Sequence, residues 1–210
     1  MNGPVRHLVI ATHNTHKTGE FRALLGEGWC VEDLTMYPEL PVPVEDGATF
    51  EENAGIKARS AASRLGEAVL VVADDSGLEV DHLAGRPGIF SARYAGPGAG
   101  DAGNRDQVLR ELEGVPAEGR SARFRCVLAV ARGAEVLACF SGAVEGRLTG
   151  ADAGQGGFGY DPIFIPEGHD ATFGELPSAV KNGLSHRARA LEKLLGWLED
   201  AELTAPRSLF

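Results

Sequence analysis

The chain has 210 residues, 43% of them hydrophobic and 24% charged, a composition typical of a globular protein. Its 20 basic and 30 acidic residues give a formal net charge of -10, which argues against binding to a nucleic-acid polymer or an anionic membrane but permits a small anionic ligand in a local basic pocket. No apolar run approaches a membrane span and the N-terminus lacks the features of a signal peptide, so we expect a cytoplasmic protein without a membrane partner.

The first half of the chain alternates strand and helix patterns, and its length suits one domain over residues 1–210. The predicted elements are a strand at 7–12, a helix at 17–26, a helix at 49–66 and a strand at 68–73. Thr49 and Glu52 form a capping-box pattern at the start of the second helix. The strand at 68–73 shows no polar alternation, which predicts a central position in the sheet.

The second half carries antiparallel signals. A turn-rich stretch at 82–100 precedes a helix from about 103 to 112 and two strands, at 121–132 and 135–148. A final amphipathic helix has its apolar stripe at Leu184, Ala188, Leu191, Leu195 and Leu198. Because parallel-type and hairpin-type signals both occur, we predict an α/β fold with a mixed sheet.

The three cysteines, Cys30, Cys126 and Cys139, are widely spaced and lie in apolar, strand-like segments. No CxxC pair is present. This pattern favours buried, reduced thiols over a disulfide or a zinc site.

Polar residues follow the first predicted strand in the segment ATHNTHK. A strand end that turns into a helix presents backbone N–H groups suited to phosphate, and Lys17 adds a positive charge. The alternative is a solvated helix cap. The candidate residues are Thr12, His13, Asn14, Thr15, His16 and Lys17.

Two adjacent carboxylates, Asp74 and Asp75, follow the central strand and precede Ser76. At a buried strand end they cost electrostatic energy unless a cation or hydrogen bonds compensate. Mg²⁺ accepts carboxylate oxygens and leaves positions for phosphate and water. The alternative is a helix cap followed by a turn.

A glycine-rich segment, GQGGFGYDPIF, contains GxGxxG at Gly154, Gly156 and Gly159. We reject the dinucleotide-binding interpretation because an extended run follows the glycines where that motif requires a helix. The glycines instead suit a loop that presents Phe158 and Tyr160 for stacking on a flat ring such as a nucleobase. The alternative is a packed turn.

Lys181, His186 and Arg187 gather near the start of the last helix. Cations at a helix N-terminus oppose the helix dipole, which indicates a ligand at this position. The alternative is a solvated helix start capped by Ser185.

Taken together, five segments in this order resemble the inosine/xanthosine triphosphate pyrophosphatases, hydrolases of non-standard purine nucleotides. The segments are ATHNTHK, TFEENAGIKAR, ADDSGLEVDHLAGRPGIFSARYAG, GGFGYDPIF and SHRARAL. The resemblance implies a two-lobed α/β fold with a long mixed central sheet flanked by helices, a substrate cleft between the lobes and usually a homodimer. It also implies Mg²⁺-dependent cleavage of a purine nucleoside triphosphate to the monophosphate and pyrophosphate.

The resemblance also implies residue roles. Asp75 becomes the catalytic base and a metal ligand, Asp74 supports it, and Ser76 contacts the substrate. Glu45, in Val44-Glu45-Asp46 where the family often has two adjacent glutamates, becomes the candidate second metal ligand. Thr12 through Lys17 bind the triphosphate, with His13 where glycine is common. The residues that the resemblance implies for binding the nucleobase and the sugar are Phe158, Gly159, Tyr160, Asp161, Lys181, His186 and Arg187.

Rival interpretations remain at this stage. Stacking by Phe158 tolerates a pyrimidine as well as a purine, so a pyrophosphatase for other modified nucleotides is one alternative. A nucleotide-binding regulator without turnover is another, although a pure anion binder gains nothing from two carboxylates beside phosphate. A Rossmann oxidoreductase fails on the context of the glycines.

Overall fold

The computed structural model describes residues 6–204. Its six strands form one sheet in the order β2-β1-β3-β4-β5-β6. Strands β2, β1 and β3 run parallel, whereas β3 through β6 pair antiparallel, so the predicted mixed sheet is confirmed. The strands are β1 (Arg6–Ile10), β2 (Trp29–Asp33), β3 (Val71–Val80), β4 (Ser121–Arg132), β5 (Glu135–Leu148) and β6 (Phe164–Pro166).

The helices lie on both faces of this sheet. They are α1 (Thr15–Leu25), α2 (Phe50–Leu65), α3 (Gly100–Glu111), α4 (Ser178–Leu184) and α5 (His186–Thr204). The Thr49 side chain caps α2 by accepting a hydrogen bond from the Glu52 backbone N–H. The Glu52 carboxylate accepts from the Ala48 backbone N–H, one residue before the position that a capping box predicts.

Three hydrophobic clusters divide the structure. One lies between α2 and strands β1, β3 and β4, and a second lies on the opposite face under α1 and α5. The third surrounds the far end of the antiparallel strands and includes Leu78, Val108, Phe124 and Phe164. The sheet therefore carries two lobes, and the region between their cores is where the polar segments of the sequence meet.

Strand β3 differs from its prediction. We expected it to end before Asp74, but it continues to Val80, with Asp74 opposite Leu128 and Asp75 opposite Val127 in β4. Polar residues occupy the middle of a buried strand because each one finds a partner on its own face, as the site geometry shows. The central position predicted for this strand is confirmed, since β3 lies between β1 and β4.

The C-terminal segment also differs from its prediction. It forms two helices, so Leu184 ends α4 and does not belong to the stripe of α5, and Lys181 lies in the last turn of α4. The Ser185 hydroxyl accepts a hydrogen bond from the Ala188 backbone N–H, the contact expected of a cap at the start of α5.

The expected burial of the cysteines is wrong for two of the three. Cys126 is buried, but Cys30 and Cys139 are exposed, because each lies on the open face of its strand. Among residues 6–204, no helix combines the length and the apolar character that crossing a bilayer requires.

Gly142 permits the close contact between β5 and α5. A Cβ atom at this position would lie 2.2 Å from the His186 carbonyl oxygen and 2.6 Å from the Ala190 backbone nitrogen. We predict that Gly142→Ala lowers the free energy of unfolding by about 2–3 kcal/mol, because backbone atoms cannot move aside as a side chain can. The melting temperature should fall by roughly 4–12 °C in calorimetry.

Gly196→Ala is the matched control, since a Cβ at this exposed position of α5 meets no atom within 4 Å. It should leave stability unchanged or raise it by about 0.5–1 kcal/mol. Equal melting temperatures for the two variants would show that the helix shifts freely away from β5.

Candidate functional site

Two adjoining cavities lie between the lobes. The first, with a volume of about 640 Å³, is here called the aromatic cavity, and its lining includes Phe124, Phe158, Tyr160, Asp161, Lys181, His186 and Arg187. The second, of about 930 Å³, is called the carboxylate cavity, and its lining includes Thr12, His13, Glu45, Lys57 and Asp75. Both are lined by Asn14, Lys17 and Ser76, so one ligand can extend from one cavity into the other.

Asp74 and Asp75 point to opposite faces of the sheet, as adjacent residues of a strand do. The Asp74 carboxylate accepts hydrogen bonds from Lys17 Nζ, from Ser76 Oγ at 2.8 Å and from Arg187 Nε at 2.8 Å. Burial alone would raise the pKa of Asp74, but the charges of Arg187 and Lys17 outweigh burial and hold its pKa well below the usual range. Asp74 is therefore a permanently ionised structural anion.

Asp75 faces α2 and the carboxylate cavity. Its Oδ1 accepts a hydrogen bond from Lys57 Nζ at 2.5 Å, whereas its buried Oδ2 has no hydrogen-bond partner among the described residues. Burial raises the pKa of Asp75, and the Lys57 charge opposes this only in part. A buried carboxylate oxygen that lacks a partner is poised to take a proton or bind a cation.

Glu45 lies beside the same lysine, with Oε2 at 3.3 Å from Lys57 Nζ. The structure thus brings Asp75 and Glu45, the two predicted metal ligands, around one ammonium group. Carboxylate oxygens are the ligands of hard divalent cations, and the orphaned Asp75 Oδ2 offers such an ion a free position. The residues present therefore fit a divalent cation.

A second buried ion network lies under the aromatic cavity. Glu20 accepts from Lys181 Nζ at 2.6 Å through Oε1 and from Arg187 through Oε2. Lys181 Nζ also donates to Asp161 Oδ2 at 2.6 Å. Asp161 in turn accepts the Phe158 backbone N–H at 2.8 Å, so the network holds the glycine-rich loop in place.

Phe158 is the ring best placed to stack on a ligand. It lies over His16 with 5.5 Å between ring centroids and an interplanar angle of 17°, and Lys181 Nζ lies 5.0 Å from its centroid. Tyr160, in contrast, is buried, and its hydroxyl donates to the Ser91 carbonyl at 2.8 Å. Tyr160 therefore has the contacts of a packed turn while its ring contributes to the cavity wall.

The segment after β1 divides between two places. Asn14 caps α1 by accepting from the His16 and Lys17 backbone N–H groups, and it lines both cavities together with Lys17. Thr15 and His16 line a neighbouring cleft that they share with Glu20. Four residues of the predicted phosphate segment therefore line the two cavities, namely Thr12, His13, Asn14 and Lys17. Thr15 and His16 lie in the neighbouring cleft instead.

Four charged residues at the site were not predicted: Lys57, Arg93 and Asp101 line the two cavities, and Glu20 belongs to the buried ion network. Lys57 falls in the buried stripe of α2 with Phe50, Ala54 and Ala61, and a lysine in such a stripe is a signal that its partner is buried. Glu20 follows Lys17 by three positions on α1, which places the two on one helix face. Neither spacing identifies the partner, which in both cases comes from a distant part of the chain.

The sequence and the structure of this chain are both similar to those of known proteins. Residues 8–197 match the model of the Ham1 family. The dITP/XTP pyrophosphatase of Shouchella clausii is 48% identical over 93% of this chain and 98% of its own, and that of Halalkalibacterium halodurans is 48% identical over 93% and 100%. The Staphylococcus aureus Ham1 protein structure is similar with a TM-score of 0.81 at 37% identity, covering 93% of this chain and 100% of that one.

His186 gives the site a dependence of stability on pH. Its ring stacks on Phe124 at 4.9 Å, and burial, with the Arg187 charge, lowers its pKa well below 6.5. The unfolded chain takes up a proton below about pH 6.5 but the folded chain does not, so this contribution is present above that pH and is lost as the pH falls. We predict that native stability declines below pH 6.5 by up to about 1.4 kcal/mol per pH unit.

Urea unfolding between about pH 5 and 8 measures this slope. His186→Phe keeps the ring stack and should flatten the slope in that range, whereas His82→Gln, at an exposed histidine, should leave it unchanged. An identical slope in His186→Phe and the native chain would contradict a neutral buried imidazole.

Proposed function

This chain belongs to the Ham1 family, and from that premise we propose that it hydrolyses non-standard purine nucleoside triphosphates to the monophosphate and pyrophosphate. The proposed substrates are inosine, deoxyinosine and xanthosine triphosphates. The observation that carries the proposal is the junction of the two cavities at Lys17 and Ser76. A flat base fits between the rings and cations of the aromatic cavity, and the triphosphate then extends among the lysines and carboxylates.

Asp75 is the proposed general base. Its burial and its free Oδ2 let it orient a water molecule and accept a proton from it. The water oxygen forms a bond to the α-phosphorus, the bond from that phosphorus to the bridging oxygen breaks, and pyrophosphate leaves with the bridging oxygen. Asp75 and Glu45 would hold Mg²⁺, which supplies neutralisation of phosphate charge when bound.

Lys17 and Lys57 provide fixed positive charge on the two sides of β3. Lys17 is held by Asp74 and borders both cavities, where its ammonium group suits the phosphates near the α position. Lys57 is held by Asp75 and Glu45. Because both lysines are positioned before substrate arrives, they can stabilise phosphate oxygens with little reorganisation during the reaction.

Arg187 is the proposed reader of the base. Three of its five N–H donors bond Asp74, Glu20 and Ser76, which leaves two for a ligand in the aromatic cavity. Hypoxanthine and xanthine carry an acceptor oxygen at position 6, whereas adenine carries a donor amino group there. Two donors facing each other leave a buried group unsatisfied, and this cost selects against adenosine triphosphate.

The assembly and the compartment are further proposals. We propose a cytoplasmic homodimer of one domain over residues 1–210, as the resemblance to the pyrophosphatases implies. Large exposed side chains at Met36, Val42, Val44 and Phe90 offer apolar surface for such an assembly. Light scattering at micromolar concentration measures the mass, and a monomeric mass would reject the dimer.

The activity itself is tested by incubating the protein with inosine triphosphate and Mg²⁺ and assaying pyrophosphate against orthophosphate. Pyrophosphate in a 1:1 ratio to the monophosphate is expected. Orthophosphate as the product would replace the proposal with a phosphatase, and binding without product would favour a regulator. A panel including modified pyrimidine triphosphates decides the alternative substrate class.

The two adjacent carboxylates make a matched pair for mutation. We predict that Asp75→Asn loses nearly all turnover while the fold survives, because Lys57 keeps Glu45 as a charged partner. Asp74→Asn should lose about 3–5 kcal/mol of stability, because it leaves buried cations without their partner. For both variants, steady-state kinetics measures the turnover and calorimetry measures the stability. If Asp75→Asn keeps more than about a tenth of the native kcat, its activation barrier has risen by less than about 1.4 kcal/mol. That result would remove Asp75 from the mechanism.

Base selection is tested at Arg187 with a variant that keeps its charge. We predict that Arg187→Lys lowers the ratio of kcat/KM for inosine over adenosine triphosphate at least about tenfold, because an ammonium group lacks the planar fork that serves Asp74, Glu20 and the base together. The measurement is the two kcat/KM values at equal Mg²⁺.

Arg189→Lys is its control, since Arg189 is exposed on the same helix and donates to the Ala143 carbonyl. It should leave the ratio unchanged. If Arg187→Lys folds with a native melting temperature and keeps the native ratio, Arg187 is a structural cation that does not read the base.

A further inference from the structure

Three metal-ligating side chains converge on the parallel edge of the sheet. His7 in β1 lies directly beside Cys30 in β2, and Glu32 lies two residues further along β2, on the same face as Cys30. One nitrogen of His7, the sulfur of Cys30 and a carboxylate oxygen of Glu32 all lie within 4.8 Å of one another. Strand pairing therefore assembles a nitrogen, sulfur and oxygen donor set at one point.

The spacing of two of these ligands fits a single tetrahedral ion. His7 Nε2 and Glu32 Oε2 are 3.2 Å apart. In a tetrahedral zinc site with bonds of about 2.0–2.1 Å, two such ligand atoms are separated by roughly 3.3–3.4 Å. A zinc–sulfur bond of about 2.3 Å requires the sulfur to lie roughly 3.6 Å from the other donors, so the Cys30 thiol has to move by at most about 1 Å. Rotation of an exposed side chain supplies that movement.

Tyr37 holds the carboxylate in place. Its hydroxyl donates to Glu32 Oε2 at 2.5 Å, and the same oxygen is ion-paired with His7 Nε2, a contact that a bound metal ion would replace. A ligating carboxylate that is hydrogen-bonded from outside is a usual feature of protein metal sites.

We propose that His7, Cys30 and Glu32 bind one Zn²⁺ per chain, with a water molecule as the fourth ligand. Thiolate and imidazole donors select zinc over magnesium, which prefers oxygen ligands alone. The site is distinct from Asp75 and Glu45, because β1 lies between β2 and β3 in the sheet. The ion links the edge strand β2 to β1 through side chains, in addition to the backbone ladder.

Cobalt substitution tests the ligands directly. Co²⁺ added to the purified native chain is expected to give a thiolate-to-cobalt charge-transfer absorption that saturates at one ion per chain and is displaced by Zn²⁺. Zinc at about a hundred times its Kd should raise the melting temperature by about 5–10 °C. Absence of the absorption in the reduced native chain would overturn the proposal.

Variants separate this site from the other thiols and from the carboxylate cavity. Cys30→Ser should abolish the absorption, and His7→Ala should weaken zinc binding at least tenfold. Cys139→Ser, at the other exposed thiol, and Asp75→Asn, in the carboxylate cavity, should both keep the absorption and the zinc-dependent melting shift. The same absorption in Cys30→Ser, or its loss in Cys139→Ser or Asp75→Asn, would place the cobalt elsewhere and overturn the assignment.

Discussion

The buried carboxylate of Asp74 is the constraint on which the rest of the structure depends. It accepts hydrogen bonds from four elements, through Lys17 on α1, Ser76 on β3, Cys126 on β4 and Arg187 on α5. Removing a carboxylate from water costs several kcal/mol, which only well-placed charged partners offset. The chain can therefore bury Asp74 only when α1 and α5 are docked on their common face of the sheet, so docking of these helices and formation of the site occur together.

The alternation of side chains along β3 gives two neighbouring carboxylates different chemistry. Asp74 faces two cations and stays ionised, whereas burial raises the pKa of Asp75 and the charge of Lys57 opposes this only in part. Environments that shift the pKa values of two neighbouring titratable groups in opposite directions are typical of catalytic pairs. Adjacent charges in a core strand are thus tolerable because the sheet itself separates them, and the separation leaves one of them available to a ligand.

The sequence predicts what is local and leaves out what depends on distant partners. The bounds of the hairpin formed by β4 and β5 follow from side-chain alternation, and α2 follows from its cap and its apolar stripe. The continuation of β3 through Asp74 could not be predicted, because Arg187 lies 113 positions away. Glu20 was missed for the same reason, since it contacts Arg187 across 167 positions. The family resemblance pointed to Asp75, Lys17, Lys181 and Arg187 but not to Lys57, and it did not reveal that each of these cations is already paired.

For the proposed function, the contacts of Arg187 with β3 link base selection to catalysis. Arg187 contacts Asp74 and Ser76, the residues on either side of Asp75 in β3. A base with a donor at position 6 repels the guanidinium, and any displacement of Arg187 is transmitted to the strand that carries the catalytic carboxylate. Because misplacement of a reacting group by about 1 Å costs on the order of a hundredfold in rate, a wrong base is penalised in turnover as well as in binding. The same buried ion pair that joins α5 to β3 then makes discrimination depend on the geometry of the reacting centre.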